Sequence, residues 1–354
     1  MNALNNPKRI LIRAVNWLGD AVMTTPAIEA VRETYPEAEI TLLANTLVSQ
    51  LFSPHNLIDK VITFDRNGRH KGVTGRLRLA RELKLHHFDA AIILPNSFDS
   101  ALVPWLARIP LRFGKNSDGR YLLLTDRYLP DEKPPLCHEV LYYLNLMGNF
   151  GIKSTQKPAL HLFVTEDEIR AAGALLSQNK IVQEDFLLGI NPGATFGSAK
   201  RWYPERFAAV AEKLAEKWRA KIIIFGSPGE APLAAEIESL LEGNCLNMAG
   251  KTSIRELMAL IKRCNFFITN DSGPMHMAAA FGVPLVAIFG PTDHGGTSPF
   301  TDNAAIVRKN VDCAPCKLRQ CPTDHRCMTE VTADDVLNVA LRLYQKSHSQ
   351  RLKP

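Results

Sequence analysis

Short apolar runs alternate with segments whose apolar residues recur at helical spacing, and the chain does this twice in succession. Strands that are apolar nearly throughout must be covered on both faces, which parallel sheets with crossover helices achieve. In the first half the expected strands are RILIRA (9–14), EITLLAN (39–45), KVITF (60–64) and DAAIILP (89–95), separated by helices at about 20–34, 73–87 and 98–108. The pattern lapses over GIKSTQKPALHLFV (151–164), the expected linker, and resumes at TEDE, where Thr165 and Glu168 have capping-box spacing. The second series runs FLLGINPG (186–193), PERFAAVAEKLAEKW (204–218), KIIIFGSPGE (221–230), then on to FFITN (266–270) and PLVAIFG (284–290). The expected fold is α/β, with two Rossmann-like, doubly wound parallel-sheet domains at 1–160 and 161–330. An amphipathic helix and tail at 331–354 would pack back on the first domain.

A chain of 354 residues exceeds one ordinary core, and 46% hydrophobic with 22% charged residues is the balance of a soluble globular protein. No apolar run approaches the roughly 20 residues that span a bilayer, and MNALNNPKRI has no signal-peptide core, so a cytoplasmic protein is expected. The net charge of +6 is concentrated between Arg66 and His87, where seven Lys/Arg and three His face the single acid Glu82. Such a run is either a solvated helix face or a contact for an anionic partner: phosphorylated lipid, membrane surface or nucleic acid. Of seven cysteines, Cys137, Cys245 and Cys264 are scattered and read as small buried residues. Cys313, Cys316, Cys321 and Cys327 cluster around His325, and in a cytosolic protein such a cluster points to a structural metal before disulfides, although the spacing matches no common zinc module.

Ligands of open α/β sheets bind beyond the carboxyl ends of the strands, so residues leaving strands carry the functional expectation. In NPGATFGSAKRWYPE (191–205), small residues let backbone N–H groups approach an anion, while Thr195, Lys200 and Arg201 supply a hydroxyl and two cations. In NDSGPMHM (270–277), Asp271, Ser272 and Gly273 precede a helix opened by Pro274, a start suited to a diphosphate. Asp271 is there either a cap or an anchor for sugar hydroxyls, and His276 is either structural or turned to the same site. Glu230, after FGSPG, either accepts from a ribose diol or is a helix-start acid. In NWLGDAV (16–22), Asp20 either caps the helix after the first strand or acts on a ligand. G-x-G-x-x-G and G-x-x-x-x-G-K-[ST] do not occur, so neither a dinucleotide oxidoreductase nor a P-loop NTPase is signalled.

Three of these stretches, ILIRAVNWLGDAVMTTPAIEAVRETYP, NPGATFGSAKRWYPERFA and NDSGPMHMAAAFGVPLVAIFGP, together resemble the ADP-heptose:lipopolysaccharide heptosyltransferases of glycosyltransferase family 9, over residues 8 to 345. The tail CAPCKLRQCP is similar to that of the type II members. The resemblance implies a GT-B fold, with an ADP-heptose donor held by the second domain and the acceptor by the first. It implies inverting transfer of L-glycero-D-manno-heptose to the first heptose of the inner core, on Kdo-lipid A carrying one heptose. It makes Asp20 the base, Lys200 the diphosphate cation and Thr195 the loop hydroxyl. It assigns Asp271, Ser272, Gly273 and His276 to the donor and Glu230 to its adenosine ribose; Arg201, read from the residues alone, is either a second cation or an exposed side chain. No D-x-D pair is present to hold a divalent ion at the diphosphate, so no catalytic metal is expected. With a phosphorylated glycolipid acceptor, Arg76, Arg78 and Arg81 become candidate acceptor contacts at the cytoplasmic face of the inner membrane, and nucleic acid is not an expected partner. Competing possibilities are another heptosyltransferase subtype (I or III), a nucleotide-sugar epimerase on a similar double-Rossmann plan, and a non-catalytic sugar-nucleotide binding module.

Overall fold

The computed structural model describes residues 6–129 and 137–351, with side chains of the last helix as far as Ser347. It divides into two compact units, Met1–Phe163 and Val164–Pro354. The first contains β1 (Arg9–Arg13), α1 (Leu18–Met23), α2 (Thr25–Thr34), β2 (Glu39–Asn45), α3 (Thr46–Leu51), β3 (Lys60–Phe64), α4 (Gly72–Lys84), β4 (Ala90–Ile93), α5 (Phe98–Leu106), β5 (Leu111–Lys115), β6 (Asp126–Tyr128) and α6 (Glu139–Asn149). Its six strands are all parallel, in the order β3-β2-β1-β4-β5-β6. Leu11, Leu43, Ala91 and Ile93 face Leu79, Leu83 and Ala101 of the covering helices in one apolar cluster.

The second unit contains α7 (Glu166–Gln178), β7 (Phe186–Asn191), α8 (Pro204–Trp218), β8 (Ala220–Ile224), α9 (Ala231–Leu240), β9 (Cys245–Asn247), α10 (Ile254–Arg263), β10 (Phe266–Asn270), α11 (Gly273–Ala280), β11 (Leu285–Ile288), α12 (His294–Thr297), β12 (Ala304–Val307), α13 (Arg326–Thr329) and α14 (Ala333–Arg351). The sheet order β12-β11-β10-β7-β8-β9, again all parallel, repeats the first with the same connectivity. In each sheet the chain reverses its direction of travel between the first and fourth strands, β1/β4 and β7/β10, and this switch point opens a crevice at the strands' carboxyl ends.

Two local features depart from the sequence pattern. The helix expected over 20–34 is two helices, because Pro26 has no N–H to give the carbonyl of Val22. The hydroxyl of Thr25 donates to that carbonyl instead, at 2.7 Å, and the Thr24 hydroxyl does the same for Ala21. The final helix, expected to reach back to the first domain, buries Val336, Ala340 and Leu343 in the core of the second unit, against α8, β11 and β12. Tail residues 352–354 lie outside the described residues. Among the described residues no helix is long and apolar enough to cross a membrane.

Candidate active site

In the first unit the chain leaves β1 through a turn fixed from below. Arg13 ends the strand buried, donating to the carbonyls of Ala14 (2.5 Å) and Leu43 (3.3 Å) and to the Asn16 side chain (3.2 Å). Burial brings its pKa down to about 10, which still leaves it charged at neutral pH. Asn45 donates to the Asn16 carbonyl at 2.8 Å. Asp20 therefore follows a rigid turn. The N-cap position of α1 is Trp17, no side chain there caps the helix, and Asp20 is its third residue. Helix α6 packs on α1 and brings Glu139 into the electrostatic field of Asp20. Burial first, and then the charge of Asp20, push the Glu139 carboxyl up, with Lys115 pulling the other way. Burial likewise drives the Tyr143 hydroxyl well up.

The raised Glu139 has a consequence for stability. A group whose folded-state pKa lies above its unfolded value contributes stability that is fully present below the unfolded pKa, and this is lost as pH rises through the folded value. Wild type should therefore lose stability relative to Glu139→Gln as pH climbs above the ordinary carboxylate value of 4.5, read by urea unfolding at each pH. Parallel curves across that window would show that Glu139 titrates as in the unfolded chain.

The second unit presents a denser arrangement at its switch point. Lys200 Nζ lies 2.6 Å from Asp271 Oδ2, the side chains being 13% and 5% exposed, and the Thr292 hydroxyl donates to the same oxygen at 2.6 Å. Asn270, the last residue of β10, spans the base of the loop after β7. Its amide nitrogen donates to the Pro192 carbonyl (2.6 Å), and its oxygen accepts the Trp202 N–H (3.2 Å). Asn191 donates to the hydroxyls of Ser272 (3.1 Å) and Thr269 (3.4 Å). Ser272 is the N-cap of α11 yet makes no side-chain cap, so the helix start keeps its N–H groups for another acceptor. His276 is buried on the same helix. Glu230 is buried; Oε2 accepts from the Ser227 N–H (2.8 Å) and hydroxyl (2.7 Å), while the buried Oε1 has no partner. A side chain at Gly193 would collide with this carboxylate and displace it. Thr195 is exposed on the loop, and the buried Nε of Arg201 has no acceptor. The unit thus holds a buried cation paired with a carboxylate, an uncapped helix start, a guanidinium nitrogen without an acceptor and a carboxylate oxygen without a donor.

The family model described as glycosyltransferase family 9 (heptosyltransferase) matches residues 76–326. The chain belongs to glycosyltransferase family 9. Lipopolysaccharide heptosyltransferase 2 of Escherichia coli (strain K12) is 34% identical over 311 residues, 85% of this chain and 88% of that protein. The solved structure of E. coli ADP-heptose lps heptosyltransferase II superposes with a TM-score of 0.81 at 29% identity, covering 96% of this chain and 99% of that one. The family 9 transferase of Veillonella parvula DSM 2008 does so with a TM-score of 0.88 at 27% identity, covering 96% and 98%. The two six-stranded parallel sheets with flanking helices are those of a GT-B glycosyltransferase.

In this family 9 glycosyltransferase the basic run and the cysteines take different places from those expected. Arg76 is 15% exposed and holds Asp99 with two hydrogen bonds (2.9 and 3.1 Å) over the ring of Phe64, so it joins α4 to α5 and is no free cation. Arg78 is exposed and reaches the Arg69 carbonyl at 3.2 Å, and Arg81 is exposed. Among the described residues no group of three or more His, Cys, Asp or Glu side chains is placed to hold a metal ion. The structural metal expected at Cys313, Cys316, Cys321 and Cys327 is therefore not supported. Cys313 and Cys316 are exposed and Cys327 is buried, its thiol pushed up to about 11 by burial and by the other three sulfurs. The cysteine-rich segment instead lies on the loop after β7: the Ala199 N–H donates to the Arg319 carbonyl at 3.0 Å, and His325 Nε2 lies 2.7 Å from the Ala199 carbonyl. Sequence reasoning passed over Arg13, Glu139, Asn191, Asn270 and Thr292. Asn191 and Asn270 carried the one available signal, a polar residue closing an otherwise apolar strand.

Proposed function

We propose that the chain transfers L-glycero-D-manno-heptose from ADP-heptose to the first heptose of the lipopolysaccharide inner core, as a heptosyltransferase of type II. The observation that carries this is the buried Lys200–Asp271 pair beside the uncapped start of α11. A nucleoside diphosphate leaving group needs such a place, where fixed dipoles and a cation meet developing negative charge out of water. The unpaired Oε1 of Glu230 supports a ribose diol as its missing donor. The donor and acceptor named for the similar E. coli enzyme fit the same chemistry.

In the reaction the acceptor hydroxyl oxygen attacks the anomeric carbon as its bond to the diphosphate oxygen breaks, inverting that centre. Asp20 takes the hydroxyl proton, and ADP departs with its charge met by Lys200, Arg201 and the N–H groups opening α11. Thr195, Ser272 and Gly273 bound the diphosphate, and His276 lies behind them. Asp20 lies in the first turn of α1, and its charge is one cause, after burial, of the raised Glu139 carboxyl. ADP release measured with and without a heptose-terminated core acceptor tests the proposal: acceptor-dependent release supports it, and release indifferent to acceptor counts against it.

The acceptor is a membrane-anchored acidic glycolipid, and the exposed face of α4 suits its surroundings. Arg78, Arg81 and Lys84 lie exposed with Val73 and Leu85, both 78% exposed. Arg78→Glu with Arg81→Glu should weaken binding to anionic vesicles by at least about thirtyfold at low salt and leave donor affinity alone, each basic residue near an anionic surface counting for about 1 kcal/mol. Equal vesicle binding by wild type and variant would return α4 to a solvated helix face.

A further inference from the structure

We propose that Arg319, carried by the cysteine-rich segment, is a further cation for the donor's diphosphate, completing a charge balance that Lys200 cannot meet alone. This rests on the donor assignment above. Lys200 is ion-paired with Asp271 at 2.6 Å, so together the two bring no net positive charge to the site. A diphosphate leaving group carries at least two negative charges and calls for cations not already committed. Arg201 is one. Arg319 is another: it forms no salt bridge among the described residues.

Its position is fixed by contacts that belong to the diphosphate loop itself. The Arg319 carbonyl accepts the Ala199 N–H at 3.0 Å, and its backbone lies so close to Gly197 that no side chain fits there. Its guanidinium sits 5.4 Å from the centroid of Phe196, the ring that also carries Lys200 Nζ at 4.9 Å. Two cations thus share one aromatic ring on one loop. A guanidinium there offers paired donors matched to phosphate oxygens. Because the backbone makes the loop contact and the side chain is exposed, replacing the side chain separates charge from scaffold.

Calorimetric titration of the full-length protein with ADP and with adenosine, at low and at physiological salt, provides the test. Arg319→Ala should weaken ADP binding by about tenfold, the scale of one charge-assisted contact, and leave adenosine unchanged. Arg319→Lys should recover part of the loss, and the salt dependence of ADP binding should be shallower in Arg319→Ala than in wild type. ADP binding within about twofold of wild type, or an equal loss for adenosine, would overturn the inference while the donor assignment stands. Wild-type protein that stays folded and binds no ADP would overturn both.

Discussion

Asp20→Asn is expected to lower kcat by roughly 10²–10⁴-fold, the range for loss of a positioned general base, with donor affinity and thermal stability close to wild type. The substitution is nearly isosteric. It removes a charge at the third residue of α1, while the N-cap position belongs to Trp17. The turn that delivers the residue is held by Arg13 and Asn45, which the substitution does not touch. Donor affinity should persist because the groups assigned to the donor all belong to the second unit. Removing the charge of Asp20 should also relax Glu139 towards the ordinary carboxylate range, as Asp20 is the second cause of its rise. Single-turnover rates with saturating acceptor, alongside ADP titration, check both halves. A variant that turns over at more than about a tenth of the wild-type rate would make Asp20 a helix-start acid with no part in proton transfer.

The second large effect is expected at the Lys200–Asp271 pair. Removing one member of a buried ion pair leaves the other desolvated and uncompensated, at a cost of about 3–5 kcal/mol. Lys200→Met should therefore destabilise the protein and also lower kcat by roughly 10²–10³-fold through lost stabilisation of the leaving diphosphate. The double variant Lys200→Met with Asp271→Asn separates these effects. It should regain much of the stability, since no unpaired charge remains, while turnover stays low. Recovery of both together would make the pair purely structural, and recovery of neither would show that Asp271 holds more than Lys200. Thr292, which donates to the same carboxylate oxygen, keeps a partner in Asp271→Asn because the amide oxygen still accepts.

Much of the architecture was legible in the residues because a strand covered on both faces has to be apolar throughout. β1, β2, β7 and β10 stand out as such runs, and all four lie inside their sheets. β6 is an edge strand and β5 lies next to it; both are short and partly polar, as in DRY over 126–128, while β12 at the other edge, AAIV, is apolar but only four residues long. The break in the 20–34 helix is written in Thr24, Thr25 and Pro26, but only hydroxyl-to-carbonyl bonds turn that string into a helix boundary.

The candidate site was legible to the extent that its residues follow strands, as Lys200, Glu230 and Asp271 do after β7, β8 and β10. Partner choice was not. Asp271 contacts Lys200 across 71 residues of sequence, and Arg76 finds Asp99 across 23. Charge composition counts Arg76 as free, and only the packing of α4 against α5 neutralises it. The cysteine cluster misled in the same way: its sulfurs suggested a metal, whereas the neighbouring backbone of Arg319 and ring of His325 meet the loop after β7 at Ala199.

The central claim is transfer of one heptosyl unit to an acceptor, and intact-mass spectrometry of a heptose-terminated inner-core acceptor incubated with ADP-heptose and wild-type protein addresses it most directly. The account predicts an acceptor heavier by one heptosyl unit, formed in step with ADP and absent with Asp20→Asn. An unchanged acceptor beside free heptose and ADP, or beside an isomerised sugar nucleotide, would contradict it.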